Sequence, residues 1–338
     1  MPNTAVVLLN LGGPDNLDAV EPFLFNLFSD PDIFRIPLFQ KSLAKIISRR
    51  RSPKIRRSYA AIGGSSPINH WTEVQRRALE DTLNGHGSRS AQGPDSARPA
   101  GAINISGQAF KVFTAMRYWK PSIASVAERL SKDEFGQIIL LPLYPHFCRA
   151  TTGSSYNEWD RHFTGDAGKV SRIQHFPTHP TYLSAINERI DQALATFDEG
   201  SRAQVRLLFS AHGIPVSFVK RGDPYRDQVE QTVGALMAHG NRKEMYHLAY
   251  QSKVGPVKWL EPATDQMIRQ LGGSGVKDLV VIPISFVSDH IETLYELDIE
   301  YRETAEEAGM SKYVVTEGLN DSGLFVMALA DLVKMVAS

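Results

Sequence analysis

Eight short apolar runs alternate with helical patterns along this chain, and that alternation limits its fold more than any other feature. The runs fall at 5–10, 112–116, 137–143, 170–175, 205–210, 245–250, 278–284 and 313–316. Helical patterns lie near 17–28, 70–84, 121–131, 179–196, 225–238, 261–271, 289–308 and 321–337. The run Leu279-Val280-Val281-Ile282-Pro283-Ile284 is apolar throughout, as suits a parallel strand covered on both faces. Such alternation predicts a doubly wound α/β fold with parallel sheets. The chain has 338 residues, and one hydrophobic core stops growing at roughly 250–300 residues, so two lobes are expected. Residues 1–172 plus 317–338 are assigned to the first lobe and 173–316 to the second. No fixed-period repeat is visible.

Charge removes one function class. Lys plus Arg is 37 and Asp plus Glu is 37, for a formal net charge of +0; a nucleic-acid binder held by phosphate neutralisation needs a basic surplus. Cys148 is the single cysteine, so no disulfide or four-cysteine metal site forms within one chain, and a reducing cytoplasm fits. The first apolar run lacks a preceding basic residue and is soon followed by Gly12-Gly13-Pro14. It reads as a first strand rather than a signal peptide. No stretch approaches the roughly 18 to 20 apolar residues that span a bilayer.

Two segments stand apart. Residues 84–101 have almost no apolar content and read as a mobile loop, with a docking segment as the alternative. Residues 33–57 set Ile33, Phe34, Ile36, Leu38, Phe39, Leu43, Ile46 and Ile47 beside Arg49, Arg50, Arg51, Lys54, Arg56 and Arg57. Either this is an interfacial segment for an anionic membrane or it is a surface helix with a solvated basic face.

Open α/β sheets hold ligands beyond the carboxyl ends of their strands, so the residues that follow each strand matter most. After 205–210 comes Ala211-His212-Gly213-Ile214-Pro215. The strand delivers His212 to the top of the sheet, where a neutral imidazole accepts a proton or binds a metal; the plain alternative is a histidine bonded to a loop carbonyl. After 278–284 come Phe286, Asp289, His290 and Glu292. A capping box with Asp289 at the N-cap and Glu292 reaching back would explain two of these. Glu292, Glu296 and Glu300 recur every four residues, a spacing at which like charges destabilise an isolated helix. They read as an exposed acidic stripe or as a carboxylate row passing protons or hydrated cations. Trp259, beside Gly255, Pro256 and Pro262, either walls an apolar ligand or fills a core. The first strand ends in Asn10-Leu11-Gly12-Gly13, which is no dinucleotide fingerprint.

Three stretches together resemble the ferrochelatase family: LLFSAHGIPVSFVKRGDPY at 207–225, YQSKVGPVKWLEPATD at 250–265 and VVIPISFVSDHIETLYELDIEY at 280–301. LLNLGGPD at 8–15, TAMRYWKPSI at 114–123 and LYPHFCRATTGSS at 143–155 add to the match. The resemblance implies two Rossmann-like lobes with a cleft between them. It implies insertion of ferrous iron into protoporphyrin IX to give protohaem and two protons, with iron as substrate and no tightly bound cofactor. It assigns His212 and Glu292 to the metal-insertion site, Asp289 and His290 to its hydrogen-bonding company, and Glu296 and Glu300 to a secondary path. Leu11, Tyr118, Trp259 and Phe286 match positions walling the porphyrin slot, and Arg117 matches a basic position in the cleft. Members with a [2Fe–2S] cluster carry cysteines near the C-terminus; none stands there in this sequence, so no cluster is expected. Ala60-Ala61 also departs from relatives that hold propionate-binding arginines at that point.

One imidazole and one carboxylate suit the chemistry, because hydrated iron needs transient ligands that a closed four-ligand cage would not release. His212 is favoured as proton acceptor and Glu292 as a metal-facing or relay group, with the reverse left open. A chelatase acting on coproporphyrin III or cobalt, or a non-catalytic haem carrier, are the competing readings. The protein is expected in the cytoplasm as a monomer or weak homodimer, with peripheral membrane contact through 33–57 as the alternative to a purely soluble one.

Overall fold

The computed structural model describes residues 3–33, 39–85, 109–253 and 255–337. Eight strands build two four-stranded parallel sheets. β1 (Thr4–Asn10), β2 (Phe110–Met116), β3 (Gln137–Pro142) and β4 (Val170–Arg172) lie in the order β2-β1-β3-β4. β5 (Arg206–His212), β6 (Tyr246–Gln251), β7 (Asp278–Pro283) and β8 (Lys312–Val315) lie in the order β6-β5-β7-β8. All eight expected strands are present, and the fold is the expected two-lobed α/β architecture. The two sheets share one topology although the sequence has no visible repeat.

Alternation along the central strands sorts the core into layers. Val6 and Leu8 of β1 join Leu207, Phe209 and Ala211 of β5 in one apolar cluster that also takes in Phe325, Leu329 and Val333. The intervening Ala5, Val7 and Leu9 face the other way, onto Ile123, Ala127 and Trp159. Leu208 likewise turns outward, onto Ile268 and Leu297. The central core is therefore shared between the sheets. Helix Gly323–Val336 packs on helices Pro180–Ala195 and Ile68–Leu83 and touches β3.

Among the longer helices, two lie outside the periodic patterns and one differs from expectation. Gln40–Ala61 is one helix of 22 residues, although its buried positions include Ala44, Ser48 and Ser52 and give no apolar stripe. Its small face lets it lie against helix Val20–Phe28. Ser154–His162 is a second helix that periodicity missed. The span 289–308, expected as one α-helix, is a π-helix over Glu292–Glu300 followed by an α-helix over Tyr301–Glu307. Of the expected loop 84–101, only Asn84 and Gly85 are described, as the turn that closes helix Ile68–Leu83; residues 34–38 and Val254 also lie outside the described residues.

Candidate active site

In the second sheet the chain leaves β5 toward β6 on one side and returns to β7 on the other. The carboxyl ends of β5 and β7 therefore flank the topological switch point, where doubly wound sheets hold their ligands. His212 is the last residue of β5, and Glu292 opens the π-helix beyond β7. His212 Nδ1 lies 2.9 Å from Glu292 Oε2. The two side chains are 37% and 30% exposed, so the pair is largely buried with one side reaching solvent.

The backbone of His212 is held on both sides. Its N–H donates to Ser285 Oγ at 2.8 Å, and its carbonyl accepts from the Tyr225 hydroxyl at 2.9 Å. Gly213 follows because space requires it: a Cβ there would stand 2.8 Å from the Gln251 carbonyl oxygen and 3.3 Å from the Trp259 ring. Trp259 is half-buried, and its backbone bridges to Pro215. Phe286 sets its ring edge-on to His212 at 6.1 Å and to His290 at 4.3 Å between centroids. His290 Nε2 comes within 3.7 Å of Glu292 Oε2.

Glu292 does not reach back to close a capping box, and the π-helix has no side-chain cap at its first residue. Asp289 has a different task. Its carboxylate accepts from Thr293 Oγ1 at 2.9 Å, from Asn320 Nδ2 at 2.7 Å and from the Gly318 N–H at 3.2 Å. With 8% exposure, Asp289 is a buried knot that fixes the start of the π-helix.

Burial alone would push the Glu292 carboxyl up, but the facing His212, helped by His290, outweighs it and holds the group well below the usual carboxylate range. For His212, burial pulls downward, and Glu292 with Glu296 lifts the imidazole above its ordinary value. The pair thus favours imidazolium beside carboxylate. Glu296 sits one step further along. It accepts from the Ser252 N–H at 2.9 Å, the Tyr301 hydroxyl at 2.9 Å, and the Ser252 hydroxyl. Burial and the nearby Glu292 nevertheless raise its carboxyl. Glu300, last of the row, is exposed.

The first-lobe residues are placed differently. Leu11 is half-buried just beyond β1, and its carbonyl accepts from the Tyr118 N–H at 2.9 Å. Arg117 and Tyr118 do not offer open faces. The Arg117 guanidinium pairs with Asp30 at 3.0 Å and donates to Ser154 Oγ at 2.7 Å. Tyr118 is 2% exposed, with its hydroxyl donated to Asp30. Asp30, Tyr59, Gln75 and Ser252 were not singled out from the sequence. Tyr59 comes from helix Gln40–Ala61; burial and then the negative Glu292 push its hydroxyl far up. Only long-range contact reveals these roles; no local motif marks them.

Comparison with known proteins gives the family and the fold. The family model described as ferrochelatase matches residues 3–336. A ferrochelatase of Geotalea daltonii is 45% identical over 98% of this chain and 98% of its own length. That of Aquifex aeolicus is 47% identical over 97% of this chain and 98% of its own length. Two solved structures share the fold alone. CbiX, described as the terminal enzyme of sirohaem biosynthesis in denitrifying bacteria, has TM-score 0.53 at 12% identity, covering 99% of this chain and 100% of that one. SirB from Bacillus subtilis, solved with Fe3+, has TM-score 0.51 at 10% identity, covering 100% and 96%. With the family's long motifs folded around one imidazole–carboxylate pair and its model matched over nearly every residue, this chain belongs to the ferrochelatase family.

Proposed function

We propose that this chain inserts ferrous iron into protoporphyrin IX and that His212 and Glu292 are the insertion centre. The observation that carries the reading is the 2.9 Å contact between them at the switch point, with the partly buried Phe286 ring beside both histidines. Metallation exchanges two pyrrole protons for one dication. Glu292 occupies His212 Nδ1, so Nε2 is the ring nitrogen left to meet a pyrrole N–H. A dication arriving at the pair competes with the proton the pair holds. Loss of the Nε2 proton to solvent leaves the neutral ring free to accept a pyrrole proton there; the two pyrrole protons pass in turn from His212 to solvent, with Glu292, Glu296 and Glu300 as the carboxylates that carry them. Phe286 and Trp259 supply apolar and aromatic surface for the macrocycle, and Leu11 is assigned to the facing wall. With Cys148 as the only thiol, no iron–sulfur cluster is proposed.

The test uses purified protein, protoporphyrin and anaerobic ferrous iron, with haem absorbance followed through several turnovers. His212→Ala and Glu292→Gln are each expected to lower turnover by about a hundredfold or more while porphyrin still binds, as for loss of groups acting in the transition state. Wild-type turnover in either variant removes that residue from the centre. Faster turnover on coproporphyrin III would reassign the substrate, and haem binding without synthesis would make the protein a carrier.

We also propose a cytoplasmic protein with peripheral membrane contact through helix Gln40–Ala61. Phe39, Leu43 and Ile46 are 80%, 38% and 51% exposed, next to the exposed Lys41, Lys45, Arg49 and Arg50. Among the described residues no helix is long and apolar enough to cross a membrane.

A further inference from the structure

Helix Ile68–Leu83 packs against β2 in the first lobe, yet one of its side chains reaches the segment that carries His290 and Glu292. Gln75 is fully buried. Its Nε2 donates to Ser288 Oγ at 3.0 Å and to the Asn320 carbonyl at 2.8 Å. A carbonyl only accepts, which sets the direction of the amide. Its own oxygen, Oε1, is buried with no hydrogen-bond partner among the described residues. An unpartnered buried acceptor is unfavourable, and a methionine of similar length would fill the space without one. Packing alone therefore does not call for glutamine.

Both bonds end on the two segments joined by Asp289. The Asp289 N–H donates to Asn320 Oδ1 at 2.9 Å, while Asn320 Nδ2 returns a bond to the Asp289 carboxylate. The Ser288 carbonyl faces His290 Nδ1 at 3.1 Å. Asn320 itself is held at φ 36, in the left-handed region. The π-helix starts immediately after this knot and has no side-chain cap of its own. Its first residue is Glu292, whose direction is set by how the knot is held.

We infer that Gln75 is a positioning residue: a strut from the first lobe that keeps the Ser288–Asp289–His290 turn in register, so that Glu292 faces His212. It acts through Ser288 and Asn320 and touches no substrate. Its catalytic consequence rests on the insertion centre proposed above; its structural consequence does not.

The experiment compares wild type, Gln75→Met, Ser288→Ala and the double variant by peptide-level hydrogen exchange, Zn2+-insertion kinetics and thermal melting. Ile123→Ala, in the separate apolar cluster on the outer face of the first sheet, serves as a destabilised control. In Gln75→Met, exchange over 286–300 is expected to speed up, and kcat to fall by about tenfold while the porphyrin KM stays within about twofold. Ser288→Ala should show the same signature at smaller size, and the double variant less than the sum of the two. Ile123→Ala should lower the melting temperature without either change. Unchanged exchange over 286–300 in both single variants would overturn the strut, as would a kcat loss that merely tracks melting temperature in all variants, control included. If exchange responds but wild type metallates no porphyrin, the strut stands and the insertion reading falls.

Discussion

At the scale of single residues, one proton shared by His212 and Glu292 governs the site. The lifted imidazole and the depressed carboxyl have opposite linkage. The His212 share of pair stability is fully present below its unfolded value and is lost as pH rises through the lifted folded value. The Glu292 share is present above its unfolded value and is lost as pH falls through the depressed folded value. The pair is thus intact across the mildly acidic to neutral range and opens on the alkaline side, where the imidazole becomes a base. Metallation by wild type should therefore rise with pH through a midpoint above about 6.5. Nuclear magnetic resonance of the His212 ring should give the same midpoint. Replacing Glu292 by Gln should lower it toward or below the ordinary histidine value, because only Glu296 then opposes burial. A wild-type His212 that titrates below that value would refute the account.

Among the elements, two helices depart from what periodicity reads. The π-helix Glu292–Glu300 carries carboxylates every four residues, a pattern that in a sequence is indistinguishable from an α-helical acidic stripe. The i→i+5 bonding that defines it is rare and often marks functional sites, but no side-chain pattern encodes it. Helix Gln40–Ala61 hides for another reason. Its buried face is mostly small and polar up to Tyr59, and Leu43 and Ile46, with Phe39 at the N-cap, point to solvent. An apolar patch flanked by Lys and Arg favours an anionic bilayer. Phe39→Ser with Ile46→Ser should weaken co-sedimentation with phosphatidylserine-containing vesicles by about a hundredfold or more at constant charge, since two buried side chains supply about 3 kcal/mol or more. Equal binding by the variant, or no binding by wild type at low salt, removes the membrane from the picture.

For the whole molecule, the shared core decides how the lobes behave. Strands from both sheets and helix Gly323–Val336 enter one apolar cluster, so neither lobe keeps its core if the other opens. A single calorimetric transition is expected. Leu329→Ala, at a fully buried position, should cost about 2–5 kcal/mol and move that transition down without splitting it. Two resolved transitions would show that the lobes unfold independently.

Strand positions and their parallel arrangement were open to reading because they depend on local composition: continuous apolar runs are stable only where both faces of a sheet are covered. His212 stands out for a similar reason, as a polar group at the end of such a run, whereas Glu292 lies well beyond β7 and is marked only by its carboxylate row and the family resemblance. What the linear order could not hold was any choice made between distant segments. Asp30 neutralising Arg117, Gln75 reaching Ser288, Ser252 clamping Glu296 and the sharing of one core by two sheets all join residues far apart in the chain. Those pairings come from packing, which selects partners by shape and unmet hydrogen bonds after the elements exist, and only the folded molecule records that choice.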